Sequence, residues 1–470
     1  MRPGARDGGL KLGKLFGTDG VREVANTGLT PELAFRLGRA GASSVLSRSG
    51  ARPTIIVGGD TRRSTGMLES ALSAGINSAG VDVLDVGVIP TPAVAYLVVK
   101  FGADAGIVVS ASHNPAEYNG IKFFGPDGFK FPDEVEDIIE KRALAGGSGE
   151  MGSALWSEDD GLPRPSGSGL GMRKEAPDAW ERYVEHAVES ASCRLDGLRV
   201  VLDCANGASC LTTPAAFREL GAEIIVINAS PDGDNINCAC GSTHPDELAA
   251  VVVERGADMG FAHDGDADRV IAVDADGRIV DGDQIMALSA IHRHSRGGLP
   301  GRAIVATQYS NLGLTHAMES IGCSVLTADA GDRYVLQMML EKNLAIGGEQ
   351  SGHVIFLEKA TTGDGLITAI EVAGIAVETG KPLSELAAVM TKYPQIMVNV
   401  RVSRKDDYYH SDTIAEAVKA AAAELGSSGR LLVRPSGTEP VVRVMGEGKD
   451  EAKVDRIVQS LAEIIQSELC

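Results

Sequence analysis

Short apolar runs alternate with longer amphipathic stretches along this chain of 470 residues. Three segments share one order, in which a run rich in β-branched residues leads through a polar or Gly-rich loop into a helical pattern. The predicted strand and helix pairs span residues 53–60 and 66–78, 198–204 and 213–220, and 302–307 and 312–321. Strands that alternate with helices are typical of α/β domains. The pattern predicts three related α/β domains, although so short a repeat is a weak signal.

Breaks in composition divide the chain further, which at roughly 150 residues per domain is too long for one core. The stretch 146–171 is rich in Gly, Ser, Pro and Asp, which indicates a linker or surface loop. Other breaks fall near residues 273–277 and near Tyr393-Pro394. We therefore predict α/β domains over 1–165, 172–274 and 275–390, and a smaller α+β domain over 391–470 that ends in a helix over 451–467.

The net charge of −20 argues against nucleic acid or an anionic membrane as a partner, because clustered Lys and Arg hold both. The same charge repels an anionic substrate, so any phosphate site must be built locally from a few Arg and Lys side chains, backbone N–H groups and bound cations. No apolar run reaches signal-peptide or bilayer length, so we predict a cytoplasmic protein. The seven cysteines include no Cys-x-x-Cys pair, which favours reduced thiols over disulfides or zinc.

The first candidate reactive group is Ser112, which follows a predicted buried strand over 106–110. Pro115 biases Asn114 away from helix, so Ser112 lies on a tight loop at the carboxyl end of the strand. Ligand sites form at this end in parallel α/β sheets. An ordinary Asx-type turn explains the segment equally well when it is considered alone.

Three carboxylates, on Asp264, Asp266 and Asp268, alternate with small residues between two further predicted strands. Carboxylates this close repel one another unless a cation holds them, and their hard oxygens suit Mg²⁺. The segment lacks the distal Glu of an EF-hand. His263 is interpreted as a neighbour of the site, and a solvated acidic turn is the alternative to a metal site.

Two later loops offer groups for a phosphosugar. Arg434, Ser436, Gly437 and Thr438, with Arg443 nearby, combine guanidinium, hydroxyl and accessible backbone N–H groups, which suits a phosphate monoester. A polar hairpin turn is the alternative.

The second loop, over 347–353, carries Glu349, Gln350, Ser351 and His353. Such side chains can bind sugar hydroxyls, but polar Gly-rich loops are common and the signal alone is weak.

Together these loops resemble the α-D-phosphohexomutase superfamily, from Phe16 to about Gly448. The chain carries the motifs of that superfamily in order: Phe-Gly-Thr-Asp-Gly-Val-Arg (16–22), Ala-Ser-His-Asn-Pro (111–115), Asp-Gly-Asp-Ala-Asp-Arg (264–269), Gly-Glu-Gln-Ser-Gly-His (348–353) and Arg-Pro-Ser-Gly-Thr-Glu-Pro (434–440). One departure is Ala267, where many members have Gly. A second is the Gly/Ser-rich stretch after Lys141, which alters a surface loop.

The resemblance implies four domains around a central cleft, one Mg²⁺ per chain and a phosphoserine at Ser112. It implies catalytic roles for Ser112, Arg22, Lys122 and His353, substrate contacts from Glu349, Gln350, Ser351, Arg434, Ser436, Gly437, Thr438 and Arg443, and metal ligation by Ser112, Asp264, Asp266 and Asp268. Lys122 and His353 are the alternatives for the general base. The oligomeric state is undecided, with a homodimer as one option.

Gln350 and the segments 235–237, 240–245, 280–284 and 362–365 are most similar to superfamily members that act on glucosamine phosphates. The expected activity is interconversion of glucosamine 6-phosphate and glucosamine 1-phosphate through a 1,6-bisphosphate, on the route to bacterial cell-wall precursors. Action on glucose or mannose phosphates is the nearest alternative. A metal-dependent phosphatase and a phosphosugar-binding sensor are more distant ones.

Overall fold

Four β-sheets with their helices make up the computed structural model, which describes residues 15–17, 19–46, 52–144, 162–426, 429–436 and 440–470. The first sheet has the strand order β1-β2-β6-β5-β3-β4-β7. Its strands are β1 (Phe16–Gly17), β2 (Gly20–Val24), β3 (Thr54–Gly59), β4 (Asp82–Val88), β5 (Ala105–Val109), β6 (Tyr118–Phe124) and β7 (Arg173–Glu175). Its helices are α1 (Pro31–Ala42), α2 (Thr65–Ser78), α3 (Thr91–Phe101) and α4 (Asp133–Leu144).

The second sheet has the order β12-β11-β10-β8-β9 and the third has the order β14-β13-β15-β16. The second domain contains α5 (Ala179–Glu189), β8 (Arg199–Asp203), α6 (Ser209–Glu219), β9 (Glu223–Ile227), α7 (Asp246–Arg255), β10 (Met259–His263), β11 (Val270–Asp274) and β12 (Ile279–Val280). The third contains α8 (Gly282–Ser295), β13 (Ala303–Thr307), α9 (Leu312–Ser320), β14 (Ser324–Ala328), α10 (Asp332–Lys342), β15 (Ile346–Gly348), β16 (Val354–Phe356), α11 (Gly365–Thr379) and α12 (Leu383–Ala387).

The fourth sheet is antiparallel and has the order β17-β19-β18. Its domain contains β17 (Gln395–Arg401), α13 (Asp412–Leu425), β18 (Gly429–Pro435), β19 (Val441–Gly448) and α14 (Glu451–Leu469). The last helix begins at the N-cap Asp450, whose carboxylate accepts a hydrogen bond from the Lys453 amide. Its apolar face packs on the sheet to form a core that belongs to this domain alone.

The first three sheets share one topology, which explains the repeated pattern in the sequence. Each contains a unit of four strands that follow one another in the chain. The first three are parallel, and the fourth is antiparallel to the third. In sheet order these units are β4-β3-β5-β6, β9-β8-β10-β11 and β14-β13-β15-β16. Strands β5 and β10 are buried on both faces, and their sequences are nearly continuous apolar runs. One buried cluster crosses all three domains and includes most of α11, so these domains pack as one body.

Two strands lie outside the ranges predicted for their domains. The strand β7 pairs with β4 in the first sheet, although the sequence predicts that the first domain ends at residue 165. The segment 162–172 before it is irregular and packs on the first domain, where Arg39 donates to the carbonyls of Leu162 and Pro163, both at 3.2 Å. The strand β12 likewise extends the second sheet beyond residue 274. Residues 146–161 of the predicted linker lie outside the described residues.

Two negative findings concern the described part of the chain. None of its helices combines the length and the apolar composition that a bilayer crossing requires. All seven cysteines lie within it, and each is a free thiol there.

Close packing of α1 on α2 yields a stability prediction. A Cβ on Gly75 would lie 2.1 Å from the Phe35 carbonyl oxygen, whereas a Cβ on Gly66 of the same helix meets nothing within 4 Å. Gly75→Ala should therefore destabilise the protein by about 1–3 kcal/mol, because backbone would have to move. The matched Gly66→Ala should leave stability equal or higher, since Ala favours helix by about 1 kcal/mol. Thermal unfolding of both variants tests this, and equal midpoints would contradict the packing argument.

Candidate functional site

The loops predicted to carry chemistry occupy equivalent places in the three related domains. Each connects the third strand to the antiparallel fourth: Ser112 lies between β5 and β6, the three aspartates lie between β10 and β11, and Glu349 to His353 lie between β15 and β16. The described parts of a fourth loop, between β18 and β19, lie in the C-terminal domain. The shared topology therefore brings residues that are far apart in sequence to one cleft.

Ser112 is fully buried and has a left-handed backbone with φ of 53°. Its amide donates to the Ser110 hydroxyl at 3.0 Å, and its own Oγ donates to Asp264 Oδ2 at 2.6 Å. A left-handed conformation is uncommon outside Gly and costs about 1–3 kcal/mol when the surroundings impose it. The loop is therefore held so that the Ser112 hydroxyl meets the carboxylate cluster of the second domain.

Asp264, Asp266 and Asp268 are buried, and each offers a carboxylate oxygen within 4.8 Å of those of the other two. Burial, together with the charges of Asp268 and Asp266, raises the pKa of Asp264 well above its usual value. Within the described part of the chain, no hydrogen-bond donor reaches the buried oxygens Asp266 Oδ1 and Asp268 Oδ1. Unpaired carboxylate oxygens in a buried acidic cluster fit a divalent cation, which prefers hard oxygen ligands. These three residues could hold the metal.

The turn between Asp266 and Asp268 contains the residue that departs from the superfamily pattern, Ala267. Ala267 has φ of 54°, which is the region where Gly has no steric cost. Its carbonyl accepts from the Gly365 amide at 3.0 Å, which fixes the turn against the third domain. Ala pays the conformational cost but leaves the carboxylates on either side in place.

Lys122 supplies the nearest positive charge from β6 of the first domain. Its buried Nζ lies 2.9 Å from Asp266 Oδ2, 2.9 Å from Asp19 Oδ2 and 3.6 Å from Asp268 Oδ2. Burial opposes the charged form, but Asp19, Asp266 and Asp268 together raise the pKa of Lys122 well above its usual value. Thr91 adds a neutral donor, because its hydroxyl donates to Asp266 Oδ2 at 2.6 Å.

The two histidines next to the cluster have fixed ring contacts. His353 lies between two carboxylates, with Nδ1 at 3.7 Å from Asp268 and Nε2 at 3.7 Å from Asp332, and its Nε2 accepts from the Gly363 amide at 3.1 Å. His263 contacts the Thr213 hydroxyl at 3.1 Å and the Arg269 carbonyl at 3.2 Å through its two nitrogens. His263 is thus a packed neighbour of the cluster, as the sequence analysis interpreted it.

Arg22 contacts the loop of Ser112 and the surroundings of Lys122 through Asn114 and Asp19, neither of which was predicted as a site residue. Its guanidinium donates to Asn114 Oδ1 at 3.2 Å and to Asp19 Oδ2 at 2.8 Å. Asp19 also binds Lys130, which pairs with Asp332 of the third domain. Burial would raise the pKa of Asp19, but Lys122, Lys130 and Arg22 lower it well below its usual value. Asp19 lies inside the motif over 16–22, which was its only sequence signal.

A cleft of about 870 Å³ lies among the four domains. Ser112, Lys122, Asp264 and Asp266 are buried and are not among its lining residues. Its lining includes Arg22, Asp268, Glu349, His353, Arg434, Ser436 and Arg443 among the predicted residues, and Asp19, Arg269, Asp329, Gly331, Asp332 and Tyr334 besides. Gln350 faces a separate concavity with Asp281 and Lys392, and Ser351 is exposed with its hydroxyl 3.4 Å from Glu349. The predicted contacts Gly437 and Thr438 lie outside the described residues.

The fourth domain contacts the body through residues 309–312, which follow β13. Arg434 Nε donates to the Tyr309 hydroxyl at 2.8 Å, and its guanidinium lies 5.1 Å from the centre of the Tyr309 ring. Arg430 donates to the Ser310 carbonyl at 2.6 Å, and the Leu312 amide donates to the Glu447 carboxylate at 2.6 Å. The Asn311 side chain donates to the Tyr393 carbonyl at 2.9 Å and accepts from the Tyr393 amide at 3.0 Å. These polar contacts hold the fourth domain so that Arg434 lines the cleft.

Family models of phosphoglucomutase/phosphomannomutase match the chain in four places. They are alpha/beta/alpha domain I over residues 13–149, domain II over 181–277, domain III over 281–393 and the C-terminal domain over 397–464. With the four sheets, these matches confirm the predicted four-domain α/β class.

Named proteins and solved structures agree with this result. The phosphoglucosamine mutase of Moorella thermoacetica is 54% identical over 96% of this chain and 99% of its own, and that of Clostridium novyi is 51% identical over 97% and 99%. A phosphoglucomutase/phosphomannomutase family protein from Burkholderia thailandensis superimposes with a TM-score of 0.79 at 26% identity, covering 97% of both chains. The N-acetylphosphoglucosamine mutase of Aspergillus fumigatus, solved with GlcNAc-6P and magnesium, has a TM-score of 0.66 at 18% identity, covering 97% of this chain and 96% of its own, and supports the fold.

The buried aspartates predict that a divalent cation stabilises the protein. A cation that binds only the folded state adds about 2.7 kcal/mol at a hundred times its dissociation constant. Mg²⁺ added after chelation should therefore raise the unfolding temperature of the wild type. Asp266→Ala should abolish most of the increase, whereas the exposed Asp276→Ala should keep it, because Asp276 pairs with Arg278 away from the cluster. If Mg²⁺ does not change the unfolding temperature of the wild type, the three aspartates do not form a metal site.

Proposed function

The chain belongs to the phosphoglucomutase/phosphomannomutase family, and from this premise we propose that it interconverts glucosamine 6-phosphate and glucosamine 1-phosphate. The observation that carries the proposal is the buried contact of 2.6 Å between the Ser112 hydroxyl and Asp264, within a cluster of three aspartates. A phosphoryl group on Ser112 would lie beside these carboxylates and the cations around them. The choice of sugar is supported by the relatives named phosphoglucosamine mutase, which match over nearly their full length.

In the proposed reaction, phospho-Ser112 transfers its phosphoryl group to O1 of glucosamine 6-phosphate. The bond between phosphorus and the serine oxygen breaks as the bond to O1 forms, and the proton lost by O1 is balanced by the proton that the released serine oxygen takes up. The resulting 1,6-bisphosphate turns over in the cleft and returns its 6-phosphoryl group to Ser112, which releases glucosamine 1-phosphate. Phosphoryl transfer needs alignment and charge neutralisation more than covalent assistance.

The charge around the transferred group is supplied locally, as a chain of net charge −20 requires. We assign Asp264, Asp266 and Asp268 to hold Mg²⁺, which when bound would neutralise charge on the phosphoryl oxygens. Lys122 and Arg22 contribute positive charge from the first domain, where Asp19 holds both.

The far end of the substrate is assigned to the fourth domain. Arg434, Ser436 and Arg443 line the same cleft as Asp268 and would bind the phosphate that is not reacting. Gly437 and Thr438 belong to this proposed phosphate site by their place in the same loop. Glu349 also lines the cleft and would bind sugar hydroxyls.

His353 is better suited to hold Asp268 than to act as the general base. The Gly363 amide donates to Nε2, so the remaining ring nitrogen, Nδ1, faces the Asp268 carboxylate at 3.7 Å. A histidine whose two nitrogens are both engaged orients a metal ligand, as second partners of metal sites commonly do.

Removal of the proposed nucleophile gives the first test of this function. Ser112→Ala should abolish mutase activity, a loss of at least about 10³-fold, because alanine has no oxygen that could carry the phosphoryl group. Intact-mass analysis of the active wild type should find one phosphate on the peptide that holds Ser112. Ser70→Ala, an exposed position on α2, should retain activity and serves as the control. An active enzyme that carries no phosphate on Ser112 during turnover would refute the mechanism.

A substrate panel tests the choice of sugar. The phosphorylated protein should isomerise glucosamine 6-phosphate with a kcat/KM at least about tenfold above those for glucose 6-phosphate and mannose 6-phosphate, which corresponds to about 1.4 kcal/mol in the transition state. Preference for a glucose or mannose phosphate would favour a phosphoglucomutase or phosphomannomutase instead. Release of inorganic phosphate faster than isomerisation would favour a phosphatase.

A further inference from the structure

Asn237 contacts the Ser112 loop from the second domain, although it is not among the residues that line the cleft. It lies between β9 and α7, is 9% exposed and has φ of 58°. Its amide N–H donates to the Ala205 carbonyl at 2.9 Å, so its backbone is tied to the turn that follows β8. The side chain is therefore presented from a fixed backbone.

The Asn237 side-chain amide donates to the backbone carbonyls that flank His113. Nδ2 lies 2.9 Å from the Ser112 carbonyl oxygen and 3.1 Å from that of Asn114. From the opposite side, Arg62 Nη2 donates to the same two carbonyls at 2.9 and 2.8 Å. Each carbonyl thus receives one donor from each domain.

The aspartate loop completes this arrangement. Gly265 lies so close that a Cβ there would be 2.6 Å from the Ser112 carbonyl oxygen and 2.9 Å from Asn237 Nδ2. The Asn237 amide therefore lies where the serine loop meets the metal loop. A change in its position would alter the distance between the Ser112 hydroxyl and the carboxylates.

We propose that Asn237 is a positioning residue for phosphoryl transfer, acting through the Ser112 and Asn114 carbonyls to hold Ser112 Oγ in line with the metal loop. The inference rests on the proposed function. The left-handed backbone of Ser112 is costly, so it needs external hydrogen bonds to persist. Arg62 holds the loop within its own domain, and Asn237 sets its register against the second domain.

The test uses variants that suit a left-handed backbone. Asn237→Gly removes the amide without strain, because Gly adopts this conformation freely. Asn237→Asp keeps the shape but places a carboxylate oxygen against two carbonyl oxygens. Asn343→Gly is the matched control, because Asn343 has φ of 54° at the exposed end of α10, away from the cleft.

The full-length proteins are loaded on Ser112 with glucose 1,6-bisphosphate. Two quantities are measured: kcat and KM with glucosamine 6-phosphate, and the fraction of phosphoryl groups lost to water as inorganic phosphate. In that loss, water attacks phosphorus, the bond to the serine oxygen breaks and the serine regains its proton. Circular dichroism and the unfolding midpoint report the folded fraction.

In both Asn237 variants kcat should fall about 100-fold with little change in KM, as expected when a reacting group is displaced by about 1 Å. The share of phosphoryl groups lost to water should rise, which a purely structural role would not produce. Asn343→Gly should match the wild type in both measurements.

Two results would overturn the inference: Asn237 variants with the kcat and water loss of the control, or a kcat that falls only in proportion to the folded fraction. If one Asn237 variant does not fold, the other decides. A wild type that does not isomerise glucosamine 6-phosphate would instead refute the proposed function, so the two failures are distinct.

Discussion

The fold has to bury three carboxylates side by side. Removing an ion from water costs several kcal/mol, and like charges add to that cost. Lys122 from the first domain, Arg269 from the second and His353 from the third all lie against Asp268. The acidic cluster therefore depends on contacts between domains, and one buried apolar cluster runs through all three, alongside smaller clusters within each.

The repeated sheet topology brings the charged loops of the three domains close together. Because each domain makes its reactive loop at the same turn, between the third and fourth strands, one arrangement of three similar units brings the loops together. The fourth domain follows other rules: its sheet is antiparallel, its core is its own, and polar contacts such as that of Arg434 with Tyr309 attach it to the body. The fourth domain is thus held to the body by polar contacts, whereas a shared apolar cluster joins the other three.

Local sequence patterns predicted much of the fold and of the candidate site. The strand predicted over 106–110 is observed as Ala105–Val109, because an unbroken β-branched run marks a buried strand, and the three aspartates are neighbours in the chain. Asp332 was missed because its partner Lys130 is 202 residues away and no local pattern joins them. Gln350 was placed with the sugar loop by sequence adjacency, but the turn directs it to Asp281 instead.

The backbone of Ser112, the proposed nucleophile, also limits which residue can occupy this position. At φ of 53° an unbranched side chain is tolerated at some cost, whereas the second Cβ substituent of threonine would make the residue a steric outlier. Threonine carries the same hydroxyl and could, on chemical grounds alone, accept a phosphoryl group. The turn therefore selects between two equivalent alcohols by shape, and evolution of this site toward phosphothreonine would first require a different loop.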